Sequence, residues 1–355
     1  MKKMYYALIA LLFLYACNPA TQNDQESTEI FKEDSTDQTN DFYFFLTTHE
    51  LENPGKVVVS GEVKESVKIN FDKLPLRSVI VKETLLNNQT DSFVGAYRYH
   101  GYSLYDILNH IQVDKANKED FRPIIDLYVE IEGKGGHKTV ISWGEIYYPV
   151  NRHQILVATK VTPIVPSKTK EMWPIPEKSK LVVGHDLYTH RNIVSPVKIS
   201  IRSLKSTYEV KRNMDKLYSP SINLINKKGE VVANIQDVPS GMKLHKYTTT
   251  FYGRGRGIHG ITTFKGYLLK ELLGNQFPLS QENIQHGLFT IAAADGYRSA
   301  FTYAGIMNRN DQSESLLIHA GKDVDKGRFR LFHSADFFSD RAIKAVSEVK
   351  LESIR

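Results

Sequence analysis

An eight-residue block, Gly101-Tyr102-Ser103-Leu104-Tyr105-Asp106-Ile107-Leu108, returns 165 positions later as Gly266-Tyr267-Leu268-Leu269-Lys270-Glu271-Leu272-Leu273. That period is the size of a domain and far exceeds the roughly 20–50 residues of a stacked solenoid unit, so the chain is expected to build one unit twice. The segments after each block match as well. Leu127–Ile131 leads through Gly133 to Lys138–Ser142, and Leu288–Ala292 leads through Asp295-Gly296 to Arg298–Thr302. Alternating apolar residues about glycine turns predict a β-hairpin in each. Each copy closes on a basic residue and a β-branched strand, Arg191-Asn192-Ile193 into Val197–Ile201 and Arg341-Ala342-Ile343 into Val346–Leu351.

Further strands are expected before each block, at Lys56–Gly61 and Val79–Leu86, then at Ser221–Ile225 and Leu244–Tyr252. The block itself reads as a short helix opening at its glycine, with Leu104 and Leu108, or Leu269 and Leu273, one turn apart on the same face. The expected class is therefore α+β, mostly β with short helices. Its two domains span 42–208 and 209–355, with the boundary between Leu204 and Lys216.

Ahead of the repeat, Lys2 and Lys3 precede an apolar run from Ala7 to Ala16 that ends at Cys17. A bilayer span needs about 20 apolar residues, so the run is too short to cross. It fits a signal peptide over residues 1–17. Leu14-Tyr15-Ala16-Cys17 resembles a bacterial lipobox, which would make Cys17 the site of lipid attachment and the chain a membrane-anchored lipoprotein. The alternative is an ordinary signal peptide with an incidental cysteine. Asn18 is not the aspartate of an inner-membrane retention signal, which favours the outer membrane of the cell envelope. Residues 18–41 carry Asp24, Glu26, Glu29, Glu33, Asp34, Asp37 and Asp41 with few apolar residues, the composition of a disordered acidic tether. The aromatic run Phe42–Phe45 is expected to pack on the first domain.

Cys17 is the only cysteine of the 355 residues. Once it is used at the terminus, disulfides, cysteine-type zinc sites and a thiolate nucleophile are all excluded. Loss of Lys2 and Lys3 takes the formal charge from +6 to +4, spread without a basic block, which argues against nucleic acid as partner. The mild excess suits small anions or an acidic surface.

The repeat resembles the molybdopterin-binding domain of sulfite oxidase and its bacterial relatives. The likeness rests on Val59-Ser60-Gly61-Glu62-Val63 with Ile69-Asn70-Phe71-Asp72-Lys73-Leu74, on the Gly-Tyr-x-Leu helix, on the Asp295-Gly296-Tyr297 hairpin and on the Arg-x-Ile closing strand. It covers residues 55–204, with a more divergent copy over 221–354. In that family a cysteine about twenty residues before the helix glycine ligates molybdenum. The matching stretches here, Thr84–Gln89 and Thr249–Arg254, contain none, so protein thiolate ligation is not available to either copy. The resemblance makes molybdopterin the one cofactor to consider, while the missing ligand points to a chain that binds none and has no metal site.

Gly253-Arg254-Gly255-Arg256-Gly257-Ile258-His259-Gly260 is the strongest local candidate for chemistry, because glycines free backbone N–H groups and guanidinium groups take anions bidentately. It also satisfies G-x-G-x-x-G, but Ile261–Phe264 continues as strand where a dinucleotide fold needs a helix. The resemblance adds Arg298, His333 and Arg341 as anion or pterin contacts in the second copy. Their first-domain counterparts are Asn87, Asn88, His185, His190 and Arg191. The bland reading of these residues is surface arginines and packed histidines. The segment Pro163–Pro176 around Trp173 reads as a loop packing the indole over the domain, with partner docking as the alternative. Paired glycosidase carboxylates, an H-E-x-x-H helix and a G-x-S-x-G elbow are absent.

Three functions are compatible with these residues. The first is a degenerate tandem domain that binds an anionic small molecule or an envelope protein. The second is a molybdopterin oxidoreductase with a metal environment lacking cysteine. The third is a structural envelope component.

Overall fold

The computed structural model describes residues 43–45, 47–87, 90–205, 208–211, 214, 216–255, 257–321 and 327–355, and residues 43–355 form one compact unit. The expected signal peptide, Cys17 and the acidic tether lie outside the described residues, as do Asn88 and Arg256. Among the described residues no helix is long and apolar enough to cross a membrane.

The chain is mostly β with few short helices. The first half runs β1 (Tyr43–Phe45), β2 (His49–Glu50), β3 (Val58–Gly61), β4 (Val67–Lys68), β5 (Arg77–Leu86), β6 (Asp91–Ser103) and α1 (Leu104–Leu108). It continues with β7 (Leu127–Gly133), β8 (Lys138–Ser142), α2 (Trp143–Tyr147), β9 (Ile155–Pro166), β10 (Lys180–Val183) and β11 (Pro196–Ser203). The second half runs β12 (Ile222–Ile225), β13 (Val231–Ile235), β14 (His245–Gly253), β15 (Gly257–Leu268), α3 (Leu269–Gly274), α4 (Gln281–His286) and β16 (Gly287–Ala293). It ends with β17 (Arg298–Thr302), α5 (Tyr303–Met307), β18 (Ser315–His319), β19 (Phe329–His333) and β20 (Val346–Ser353).

From β3 onward the second half repeats the strand order of the first, while β1 and β2, both paired with β9, belong to the first half alone among the described residues. One sheet of each half has the order β4-β3-β11-β7-β8 or β13-β12-β20-β16-β17, and the closing strand pairs in parallel with the opening one in both. The other sheets are built on β5-β6-β9-β10 and β14-β15-β18-β19. Each half buries its own apolar cluster between its sheets and its short helices. Val59, Leu104, Leu108, Ile131 and Ile199 are among the first, and Leu224, Leu269, Leu273, Ile291 and Val349 among the second.

The repeated block differs from expectation in one respect. Gly101 and Gly266 belong to strands, and the helices open three residues later. Ser103 caps α1, its hydroxyl accepting from the Asp106 N–H at 3.1 Å. The glycine is needed because the neighbouring strand passes too close. A Cβ on Gly101 would lie 2.1 Å from the Val157 carbonyl oxygen, and one on Gly266 would lie 2.8 Å from that of Leu317. Trp173 packs as the sequence suggested, donating from Nε1 to the Ile164 carbonyl at 2.7 Å and meeting Phe93 edge-on. The backbone of Tyr43–Phe45 adds to the first half as a strand beside β9.

The halves join along a seam whose contacts come in pairs. The Leu187 N–H donates to the Asn308 carbonyl at 2.8 Å, and the Phe337 N–H, 150 positions after Leu187, donates to Tyr148 at 2.7 Å. The Asn310 N–H meets the His185 carbonyl and the Val150 N–H meets that of Ala335. Thr139 Oγ1 donates to Gln285 O, and Ser299 Oγ to Ile125 O. Tyr128, Val140 and Leu204 pack against Leu288 and Ala300 in one apolar cluster of the same pairwise kind. Such reciprocity is that of an isologous dimer contact, here made within one chain.

Gly101→Ala is expected to lower unfolding free energy by about 3 kcal/mol through overpacking against backbone. Gly255→Ala, with nothing within 4 Å of the added carbon, is expected to change it by less than about 0.5 kcal/mol. Urea midpoints of the two variants check the pair.

Candidate functional site

The closing segments that supply Arg191 and Arg341 run into the seam. Each arginine lies five residues after an aspartate and grips it bidentately. Arg191 Nε and Nη2 reach Asp186 Oδ2 and Oδ1 at 2.8 and 2.6 Å, and Arg341 holds Asp336 in the same way. Both guanidinium groups then cross to the other half. Arg191 Nη1 donates to Thr302 Oγ1 at 3.1 Å, and Arg341 lies over the Tyr148 ring at 5.7 Å and against Gly144, where a Cβ would be 2.2 Å from Nη1.

Glu145 sits between the halves. It closes the capping box of α2 with Ser142, accepts from Thr302 Oγ1 at 2.6 Å and pairs with Arg191 Nη2 at 3.0 Å. The matching helix position of the second half is Gly305, where a Cβ would meet Glu145 Oε1 at 3.0 Å. One carboxylate thus serves both copies. Burial alone would raise its pKa, but Arg191 and His185 hold it well below the usual carboxylate range.

The residues expected to contact a ligand are therefore divided among several places. Arg191, His185 and Arg341 belong to this buried seam. Arg298 is also buried, lying 3.5 Å from Asp126 and over the ring of Phe121. His190 accepts from the Leu86 N–H at 2.9 Å, and Asn87 donates to Ser92 at the exposed β5–β6 tip. His333 is buried against Ser315 Oγ at 2.6 Å.

Gly253, Arg254, Gly255 and His259 do come together. With Ser339 and Asp340 they line an open groove of about 490 Å³. Gly257, at φ +72°, starts the return strand below it, in the left-handed region that glycine adopts without strain. A Cβ on Gly253 would lie 2.4 Å from His259 Nε2, so glycine is what lets the imidazole lie across the strand. Arg254 Nη2 pairs with Asp340 Oδ1 at 3.0 Å while remaining 58% exposed. His259 and Ser339 also border a second recess of about 410 Å³ lined by Phe251, Phe264, Ile318 and Phe332. The aromatic lining comes from register: Tyr247, Phe251 and Phe264 fall on the inward face of the β14–β15 pair, where Phe264 stacks on Phe332 at 4.0 Å.

The matching strand end of the first half is tied to its loop. There Thr189 donates from both N and Oγ1 to the Thr84 carbonyl, at 2.8 and 3.1 Å, and His190 ties down Leu86. In the second half Tyr252 stacks on Phe338, and the Arg254–Asp340 pair replaces those bonds. Ser339 and Asp340 of the groove and Phe264 and Phe332 of the recess are residues that sequence reasoning did not single out. The Asp-to-Arg spacing of five, present in both copies, is the signal that could have marked the closing loops.

The cavity lined by Thr249–Tyr252, part of the Thr249–Arg254 stretch matched to the metal-ligating segment, holds about 10 Å³ between Phe332, His333, Phe337 and Phe338, too small for molybdopterin, since a cofactor site needs roughly 300 Å³ or more. Neither matched stretch carries a thiol. Among the described residues no three His, Cys, Asp or Glu side chains gather as metal ligands.

No family model and no curated protein matches the chain. Among solved structures, it is similar to the sulfane dehydrogenase SoxCD from Paracoccus pantotrophus at 9% identity and a TM-score of 0.29, over 84% of this chain and 77% of that one.

Burial holds the His333 pKa well below its ordinary value, with the nearby Arg341 charge acting in the same direction. Below about pH 6.5 the unfolded chain takes up a proton that the folded chain refuses, so stability falls as pH falls. Burial lowers His190 and His286 in the same sense. The urea midpoint is expected to drop between pH 7 and pH 5, before the depressed Glu145 titrates. His333→Gln is expected to flatten that slope.

Proposed function

We propose that the chain is a lipid-anchored cell-envelope protein made of two divergent copies of the sulfite-oxidase-type molybdopterin-binding domain, neither of which carries out metal chemistry. Its second half binds a small anionic molecule with an apolar body, seated between the β14–β15 hairpin and the Phe338–Ala342 loop. The observation that carries this reading is the joining of an aromatic recess to a rim bearing Arg254 and His259.

The chemistry of the rim supports an anion. Arg254 is engaged with Asp340 only at the surface, where an ion pair contributes about 1 kcal/mol or less. A carboxylate or phosphate presenting two oxygens is a stronger partner for the guanidinium and can displace Asp340. Phe251, Phe264 and Phe332 then offer ring faces to an apolar body. The single cysteine, placed at the lipid-attachment position, is what argues against a working metal centre.

Phenyl phosphate is the simplest probe with both features. Titration calorimetry is expected to detect its binding to the wild-type chain, and replacing Arg254 and Arg256 by alanine is expected to weaken it about tenfold or more at an unchanged melting temperature. Equal affinity in that variant would remove the hairpin from the site. Metal and pterin analysis of protein purified from its native host separates this reading from the oxidoreductase alternative, which requires stoichiometric molybdenum.

A further inference from the structure

We propose that the outward face of the β14–β15 ribbon is a membrane-docking surface that lays Ile258 and Ile261 against an anionic lipid bilayer. The groove lies on the inward face of the same ribbon, so the proposal does not depend on its ligand.

The ribbon is bare because the second copy is shorter. From Ile155 to Val183 the first copy takes ten residues more than the second takes from Ser315 to His333. Those residues extend β9, which covers β6 from Tyr97 to Ser103, whereas β18 reaches β15 only at Tyr267 and Leu268. Among the described residues, β15 from Gly257 to Gly266 therefore pairs with β14 alone.

Register defines the exposed face. Lys246 lies opposite Lys265, Thr248 opposite Thr263 and Thr250 opposite Ile261, all of them exposed, whereas Tyr252, opposite Ile258 past a bulge, packs on Phe338. Ile261 is 80% exposed and Ile258 is 70% exposed, an unusual state for two aliphatic side chains on one short ribbon. Directly opposed like charges weaken a strand pair, and neither Lys246 nor Lys265 meets a carboxylate among the described residues. The sequence from Val238 to Lys270 contains no Asp or Glu but has Lys243, Lys246, Arg254, Arg256, Lys265 and Lys270, of which Arg254 pairs with Asp340 and Lys270 with Glu314. Cations around protruding aliphatics match a surface of anionic headgroups over acyl chains, each basic residue near such a surface contributing about 1 kcal/mol. A second copy of the same basic ribbon would be repelled.

The test places an environment-sensitive fluorophore on Ile258→Cys in the full chain reconstituted into vesicles. Dye uptake by the unsubstituted chain reports a free Cys17 and so tests the anchor separately. In phosphatidylcholine vesicles containing phosphatidylglycerol, emission from position 258 is expected to shift to the blue, and high salt is expected to reverse the shift. Phosphatidylcholine alone is expected to give no shift, nor is a label on Val231→Cys, an exposed residue of another sheet. Lys246→Glu with Lys265→Glu is expected to cut the response about tenfold or more. An unshifted label at 258 in anionic vesicles overturns the proposal. So does an equal shift at 231, or protection of the label by pairing of two copies without lipid.

Discussion

Two guanidinium groups buried where the halves meet set the terms for the rest of the molecule. Arg191 and Arg341 have each left water for a site with an aspartate of their own half, and each projects into the other half. A buried charge that loses its partner costs several kcal/mol, so each arginine depends on the aspartate of its own half, while the other half closes over the pair. Glycine at 144 and at 305 answers the same demand, because arginine and glutamate atoms occupy the space a side chain would take. Ser195 and Ala345, 150 positions apart, both adopt positive φ where the chain turns from these loops into the closing strands. Identical backbone strain at matched positions shows how closely the two copies obey one plan.

Departures from the plan are concentrated at the far end of the second half. Shortening between β18 and β19 removes the strand that would cover β15, and replacement of the Thr189 and His190 contacts by Phe338, Ser339 and Asp340 loosens the hairpin from the loop beneath it. Among the described residues the first change leaves an edge of β15 bare. The second opens a groove with an aromatic floor. The first copy spends its extra residues on its own packing, with Trp173 and Pro174 closing over Tyr97 and Ile164.

Much of the architecture was legible along the chain because β-alternation and repetition are local properties. The paired glycine-tyrosine blocks, the hairpins about Gly133 and Gly296 and the closing strands all lie where their residue patterns placed them. Gly101 and Gly266 are the exceptions. The pattern predicts a helix opening at each, yet each serves as the thin point of a strand, because its constraint comes from Val157 or Leu317, distant in sequence. The candidate ligand residues divided for a related reason. Arginines and histidines near closing strands look alike in sequence whether they face a groove or a seam, and only burial separates Arg341, locked on Asp336, from Arg254, exposed at the rim.

What the residues determined alone was the duplication, the β-rich class and the lack of any thiol to grip a metal, since each is a matter of pattern or composition. What the tertiary structure decided was which charges were spent on holding the halves together and which were left facing solvent. That distinction depends on desolvation, a property of the space around a side chain that the order of residues does not display.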